Sequence, residues 1–413
     1  MKILHTADWH LGKLIHGIYM TDDQAYLLDE LIRYIELEAP DLIIIAGDIY
    51  DRAIPPVEAI HLLDLFFNRV ALELNIPIIA ISGNHDSPQR LSFGSHFLHH
   101  QSCHIITEFD PSFTPIVMND AFGEVHFYAI PYVEPSQIRQ IYPDAGIRTH
   151  DDAFRVMMEH LTPKLDESAR NVLILHAFVI HSSQPEILTS DSERPLAIGG
   201  SEYISADYLQ AFDYVALGHL HQAHKVKEEF IRYSGSLLKY SLSEATHEKG
   251  ILEVILGEKN AGDAHANIEI EKITFKPKRD LREVRGELQT ILTMPKSDDY
   301  CFVTLLDESP VLQPMEQIRT VFPNAMHVRR DLQKSRSFRE DQSELKNLEK
   351  TDDLSLFKGF YQTLLEKELD SETLQIFSDA LMQVQSENES TKSPKTPAST
   401  AQSTSTSSDI DTL

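Results

Sequence analysis

Met1-Lys-Ile-Leu-His-Thr-Ala-Asp8-Trp-His10 opens the chain with an apolar, β-prone run that stops on an Asp-x-His pair. The same design returns in Leu42-Ile-Ile-Ile-Ala-Gly47-Asp48, in Ile76-Pro-Ile-Ile-Ala-Ile-Ser-Gly83-Asn84-His85-Asp86 and in Tyr214-Val-Ala-Leu-Gly218-His219-Leu-His221. A further run, Val172-Leu-Ile-Leu, ends on His176. Each run reads as a buried strand, and the polar residue that ends it is delivered to the sheet's carboxyl edge, where open α/β sheets place their sites. Five strand ends are therefore expected to meet in one pocket.

Singly, Asp-x-His, Gly-Asn-His and His-x-His are common by chance, and a lone His at a strand end is more often a hydrogen-bonded structural residue. Their joint occurrence at strand-to-loop junctions is what carries chemistry. Asp8, His10, Asp48, Asn84, His176, His219 and His221 combine hard carboxylate and amide oxygens with borderline imidazoles. That set suits Mn²⁺, Fe, Zn²⁺ or Co²⁺ better than Ca²⁺ or an all-oxygen Mg²⁺ cage. It is too large for one ion. Two ions about 3.5 Å apart, bridged by one carboxylate, would use it and would clamp both oxygens of an in-line phosphoryl displacement. Cys103 and Cys301 lie in unremarkable surroundings and no Gly-x-Ser-x-Gly elbow is present, which argues against a covalent mechanism.

Composition sets the outer limits. The 413 residues suggest two or three domains, 42% hydrophobic content is ample for a core, and two separated cysteines make no disulfide scaffold. The opening apolar run is consumed by a strand that carries site residues, so a removable leader is not expected and a cytoplasmic location is. A net charge of −27 opposes strong unaided binding to nucleic acid. Bound cations would add local positive charge, and basic clusters occur at Lys272, Lys276, Lys278 and Arg279, and at Arg329, Arg330, Lys334, Arg336 and Arg339.

Asp8-x-His10, Gly47-Asp48-x-x-Asp51, Gly83-Asn84-His85-Asp86, His176 and Gly218-His219-x-His221 together resemble the calcineurin-like metallophosphoesterase superfamily. Within it, Lys2-Ile-Leu-His-Thr-Ala-Asp-Trp-His-Leu-Gly12, Ser82-Gly-Asn-His-Asp-Ser87 and Tyr233-Ser-Gly-Ser236 with Glu248-Lys249 are similar to the SbcD family of double-strand-break repair nucleases. The resemblance implies an α/β fold, a four-layer αββα sandwich with a small α/β cap and carboxy-terminal amphipathic helices. It implies one metal on Asp8, His10 and His221, another on Asn84, His176 and His219, and Asp48 as bridge, with Mn²⁺ as the expected ion. His85 would act beside the scissile phosphate, oriented by Asp51. The implied activity is exonuclease action on double-stranded DNA ends and endonuclease action on single strands or hairpins. The implied partners are DNA, a second copy of the chain and the ATPase SbcC.

Four segments are expected: a catalytic domain over 1–275, a cap over 276–335, an SbcC-binding helical segment over 344–385 and a Ser/Thr-rich disordered tail over 386–413. Helices are expected at 22–37, 55–74, 282–292 and 315–321, and strands at 2–8, 42–47, 76–82, 125–130, 172–175, 230–233, 251–255, 301–305 and 325–329. Leu354, Phe357, Phe360, Tyr361, Leu364 and Leu365 share one helical face, and Leu374, Phe377, Leu381 and Val384 repeat it. The pair could pack on its own chain or, by the resemblance, grip the coiled-coil base of SbcC. The alternative reading is a phosphoprotein phosphatase, because Gly47-Asp-Ile-Tyr-Asp-Arg52 also fits that pattern, or a small phosphodiesterase. No Gly-x-x-x-x-Gly-Lys-Ser/Thr loop occurs, so any ATP dependence would reside in a partner.

Overall fold

The computed structural model describes residues 1–95, 98, 102–181, 190, 191, 193, 203–307, 309–331 and 373–377. The first elements are β1 (Lys2–Thr6), the hairpin β2 (Leu14–Ile15) and β3 (Ile18–Tyr19), α1 (Thr21–Glu38), β4 (Leu42–Ala46), α2 (Val57–Phe67), β5 (Ile78–Ile81) and β6 (Cys103–Ile106). There follow β7 (Ile116–Asp120), β8 (Gly123–Ile130), β9 (Arg170–His176), β10 (Phe178–Ile180), β11 (Tyr203–Ser205), β12 (Tyr214–Gly218), β13 (His224–Lys225), β14 (Ile231–Tyr233), β15 (Gly250–Leu256) and β16 (Ile268–Thr274). Two six-stranded sheets result, ordered β16-β15-β1-β4-β5-β6 and β13-β14-β12-β9-β8-β7.

Apolar side chains on both faces of the central strands force burial on both faces, as in β4 and β9. In β4, Leu42 and Ile44 point into the core between the sheets, where Val172, Ile174, Tyr214 and Ala216 of the second sheet meet them. Ile43 and Ile45 point outward beneath α1 and α2, among Leu27, Leu31, Ile35, Leu63 and Phe66. The outer face of the second sheet is covered by the helix His150–Leu161 through Phe154, Met157 and Leu161. Three apolar layers between four layers of structure make the αββα sandwich. The long strand-like runs of the sequence contain little polar alternation because parallel strands are covered on both sides.

Strand direction decides where the site lies. β1, β4 and β5 run parallel in one sheet, as do β9 and β12 in the other. Leu217 pairs with Leu175 and Gly218 with His176, so the carboxyl ends of β9 and β12 finish level. A side chain at Gly218 would overlap the Ala46 carbonyl of the facing sheet, which makes glycine a requirement of the close approach between sheets.

Arg170 closes the opposite end of the sandwich. Its buried guanidinium donates to both Asp120 carboxylate oxygens, at 2.9 and 2.5 Å, and to the carbonyls of Gly123, Leu256 and Gly257. One side chain thus joins β7, β9 and the end of β15.

Beyond β16 a three-stranded parallel sheet, β17 (Leu281–Gly286), β18 (Tyr300–Leu305) and β19 (Ala325–Arg330), carries the helices Leu288–Leu292 and Pro314–Ile318 and its own apolar core of Val284, Ile291, Val303 and Phe322. The helix expected over 282–292 is half wrong: its first part is β17. The Arg-Glu-Val-Arg stretch has helix-forming residues, but pairing of Leu281 to Gly286 along β18 overrides local propensity, and Gly286 ends the strand. The helix expected over 315–321 is the shorter Pro314–Ile318. Residues 1–331 form one compact unit and 332–413 another. Of the second, only 373–377 is described, as helix with Ile376 exposed; the remaining residues of the 344–385 helices and the 386–413 tail lie outside the described residues. No described helix is long and apolar enough to cross a membrane.

Arg170→Ala should lower stability by about 1–3 kcal/mol, because the Gly123, Leu256 and Gly257 carbonyls lose a donor while Asp120 keeps the Met1 ammonium at 2.7 Å. Urea denaturation checks this, and a change below about 1 kcal/mol would mean that the pair holds nothing together.

Candidate metal centre

The loops that leave β1 and β4 are zipped together by main-chain hydrogen bonds: Asp8 N to Gly47 O, His10 N to Asp48 O and Leu11 N to Ile49 O, at 2.9–3.0 Å. This zipper turns the side chains of Asp8, His10 and Asp48 the same way. The turn is sharp, with Asp8, His10, Asp48 and His219 all at positive φ, from 46° to 113°. Non-glycine residues seldom adopt that conformation, and its concentration here is the kind of strain that functional sites store. A side chain at Gly83 would overlap the Asp48 carboxylate and main chain, and one at Gly47 the His176 ring.

All seven expected ligand residues come together. Ligand atoms of Asp8, His10 and His221 lie within 4.8 Å of one another, as do those of Asp8, Asp48 and His176. Asn84 Oδ1 lies 2.9 Å from His176 Nε2 and 3.3 Å from His219 Nδ1. Asp48 Oδ2 is 3.7 Å from His10 Nε2 and 3.6 Å from His176 Nε2, which sets it between the two groups.

The hydrogen-bond pattern tests whether cations fit. His176 Nδ1 faces the Ala46 carbonyl at 2.9 Å; a carbonyl only accepts, so the ring hydrogen is on Nδ1 and a lone pair on Nε2 faces the oxygens of Asn84 and Asp48. His221 Nδ1 donates to Glu244 Oε1 at 3.2 Å, which turns a lone pair on Nε2 toward His10 Nε2, 3.0 Å away. His10 Nδ1 is buried without a hydrogen-bond partner. Burial lowers the pKa of His10, His176, His219 (to about 3) and His221, so these rings are neutral and can act as ligands. Burial, with the Asp48 carboxylate next to it, pushes Asp8 well up. Facing lone pairs and crowded carboxylates are what divalent cations would relieve, and the mixed O/N donor set fits them.

His85 differs from the seven expected ligand residues. Its Nδ1 donates to the main-chain carbonyl of Asp51 at 2.8 Å, its N–H donates to Asp48 Oδ1 at 2.9 Å, and its Nε2 is 4.0 Å from Asp48 Oδ2. The expected orienting role of the Asp51 carboxylate is corrected: that carboxylate pairs with Lys13 at 2.8 Å, and the residue meets His85 through its backbone. Tyr50 is bridged to Leu11, and the bend at Asp51 that follows presents the Asp51 carbonyl to the ring. His10, Asp51 and His85 also have ligand atoms close together, but Lys13 engages the Asp51 carboxylate there.

Several groups behind the pocket carry no strand-end signature: Glu193 and Glu244 escaped the sequence reading, and Lys249 entered it only within the Glu248-Lys249 pair of the resemblance. Glu244 accepts from His221 Nδ1, and from Lys249 Nζ at 2.5 Å; Lys249 also donates to His221 O at 2.7 Å. Burial alone would raise Glu244, but His221 and Lys249 hold it far below the usual carboxylate range. Glu193, which burial pushes up to about 7, accepts from His221 N at 2.7 Å. Asp86, within the quoted motif, is an anchor: its carboxylate accepts from the main-chain N–H of Ile49, Tyr50 and Gly83 at 2.9–3.1 Å. Burial and Asp48 push it up to about 7.

Glu244→Gln should weaken metal retention by about 10–100-fold, because the carboxylate fixes the His221 tautomer. Metal titration followed by calorimetry measures this, and unchanged affinity would show that Glu244 serves only the Lys249 pair.

A family model described as calcineurin-like phosphoesterase matches residues 1–223. A second, for the SbcD C-terminal family described as type 5 capsule protein repressor C-terminal domain, matches residues 277–363. Similar solved structures include TT1561 of Thermus thermophilus, at 12% identity over 66% of this chain and 98% of that one, TM-score 0.34. Another is a dimetal phosphatase from Danio rerio, at 12% identity over 62% of this chain and 92% of that one, TM-score 0.37. With more than half of its 413 residues matched, the chain belongs to the calcineurin-like phosphoesterase family, hydrolases that act on phosphoesters.

Proposed function

We propose that this chain is a metal-dependent DNA nuclease of the SbcD type, an exonuclease on double-stranded ends and an endonuclease on single strands and hairpins, working with an SbcC-like ATPase. The observation that carries the reading is the union, in one chain, of the Asp/His pocket with an SbcD C-terminal match over 277–363. A phosphoprotein phosphatase or small phosphodiesterase needs no such addition.

In this reading Asp8, His10 and His221 hold one divalent ion, Asn84, His176 and His219 hold the other, and Asp48 is shared. Mn²⁺ is the preferred ion. When bound, the ions supply Lewis-acid neutralisation of charge that builds on the phosphoryl oxygens. Because His85 Nδ1–H is committed to the Asp51 carbonyl, Nε2 is the nitrogen that faces the leaving oxygen, and it delivers a proton there from the imidazolium form, which leaves the neutral ring with its hydrogen on Nδ1. The catalytic domain is proposed to span 1–275, the cap 276–335 and the SbcC-binding helices 344–385, in a homodimer within a heterotetramer.

The −27 charge directs DNA contact to few places. Within the basic clusters, Arg279 is paired with Asp23 and Arg329 with Glu283, whereas Lys276 and Lys278 are exposed and are the cationic groups proposed to meet phosphates.

Purified chain with Mn²⁺ is expected to release nucleotides from linear DNA and to leave a phosphoserine peptide intact. His85→Ala should keep both metals and lose about 10²–10⁴-fold in turnover, the usual worth of a positioned proton donor. Peptide dephosphorylation without DNA cleavage would make the Gly47-Asp-x-x-Asp-Arg52 phosphatase reading the truer one. Deleting 344–385 should leave cleavage of single-stranded DNA intact and end co-purification with SbcC; a surviving complex would move the interface elsewhere.

A further inference from the structure

Lys13 has no part in the ligand set, yet its ammonium is drawn in beside it. Nζ lies 2.8 Å from Asp51 Oδ1, both side chains are 13% exposed, and Nζ sits 5.7 Å from the centre of the buried Tyr240 ring. Asp51 is tied at its other end, its N–H donating to Leu11 O at 3.2 Å. Lys13 N donates to His10 O at 3.0 Å. The ion pair therefore closes the last rung of the zipper between the β1 and β4 loops, at the residue whose carbonyl receives His85 Nδ1.

We propose that Lys13 is a positioning residue: by holding the Asp51 carboxylate it fixes the Asp51 carbonyl, and through it the orientation of His85, with Nδ1–H on that carbonyl and Nε2 left to face the phosphoester. The inference rests on the hydrolytic reading of His85 given above. Two alternative neighbours of that carboxylate show what Lys13 prevents. His10 Nδ1, buried and unpartnered, lies 3.7 Å from Oδ1, and the half-exposed Arg52 reaches Oδ2 at 3.7 Å. Without the ammonium, the carboxylate turns toward one of them and rotates its own carbonyl away from the His85 ring. A one-sided hydrogen bond then no longer selects which His85 nitrogen faces the phosphoester.

The test uses the full chain, Mn²⁺ and bis(p-nitrophenyl) phosphate. Lys13→Ala is expected to lower kcat about tenfold with KM changed less than about twofold and with metal content, read by mass spectrometry, unchanged. Lys13→Arg restores most of the rate, and the Lys13→Asp/Asp51→Lys exchange keeps a folded form of the pair available if Ala proves unstable. In a His85→Ala background, Lys13→Ala should change kcat by less than about twofold, because a residue that acts through another loses its effect when that other is gone. Equal losses in both backgrounds, or loss of metal from Lys13→Ala, would overturn the proposal. The Nδ1–H resonance of His85, assigned by its absence in His85→Ala, gives a reading independent of turnover. It should vanish or exchange rapidly in Lys13→Ala, and its persistence would overturn the relay. A wild-type chain inactive on the diester would count against the hydrolytic reading alone.

Discussion

Burial of two carboxylates among neutral imidazoles is the constraint around which this molecule is arranged. Asp8 and Asp48 are 0% and 2% exposed, and the rings about them are kept uncharged by the same burial. Such a pocket is costly to assemble from protein alone, since buried charge needs a counter-charge within reach. The fold meets that demand only in part, with main-chain N–H groups: His219 N points at Asp8, His85 N at Asp48, and three others at Asp86. What the N–H groups leave unbalanced is the affinity for divalent cations.

Holding those donors in place accounts for features that look incidental in the sequence. The glycines at 47, 83 and 218 are the points at which the two sheets and their loops touch backbone to backbone or backbone to ligand. Gln24, on α1, donates to His10 O at 2.7 Å and to Trp9 O at 3.2 Å, and accepts from Gly12 N at 2.9 Å. It pins the loop after β1 to the helix layer. Behind His221, Glu244 and Lys249 form a buried ion pair whose partners also include Ser190, Ser236 and Ser241. The loop after β1 and the segment that carries His221 are thus each fastened at a second point.

Legibility in the sequence followed the physics of the signal. Strand ends were readable because an uninterrupted Ile/Val/Leu run is too short and too apolar for a surface helix, and an Asp or His that stops it must leave the core where the strand does. β1, β4, β5, β9 and β12 fall within two residues of expectation. The sandwich was legible for the same reason. β17 was not, since Leu-Arg-Glu-Val-Arg satisfies a helix face as well as a strand and only its pairing with β18 decides. The contacts of Glu193, Glu244 and Lys249 were illegible, although Lys249 belongs to a quoted motif: they sit in or beside irregular loops, and their meaning comes from which long-range neighbour they reach. Asp51 was read correctly as adjacent to His85, but sequence cannot tell a side-chain contact from a main-chain one.

The pocket draws its side chains from position 8 through position 221, and from both sheets. No amino-terminal fragment that ends short of β12 can therefore contain it. During synthesis the first sheet can pair locally, β1 with β4 and β4 with β5, while β9, β12 and His221 are still to come. Contacts of such long sequence separation form late, after their loop-closure entropy has been met by local structure. A hydrolase built this way stays chemically silent as a nascent chain, and gains its reactive centre only when the two halves of the sandwich have closed on one another.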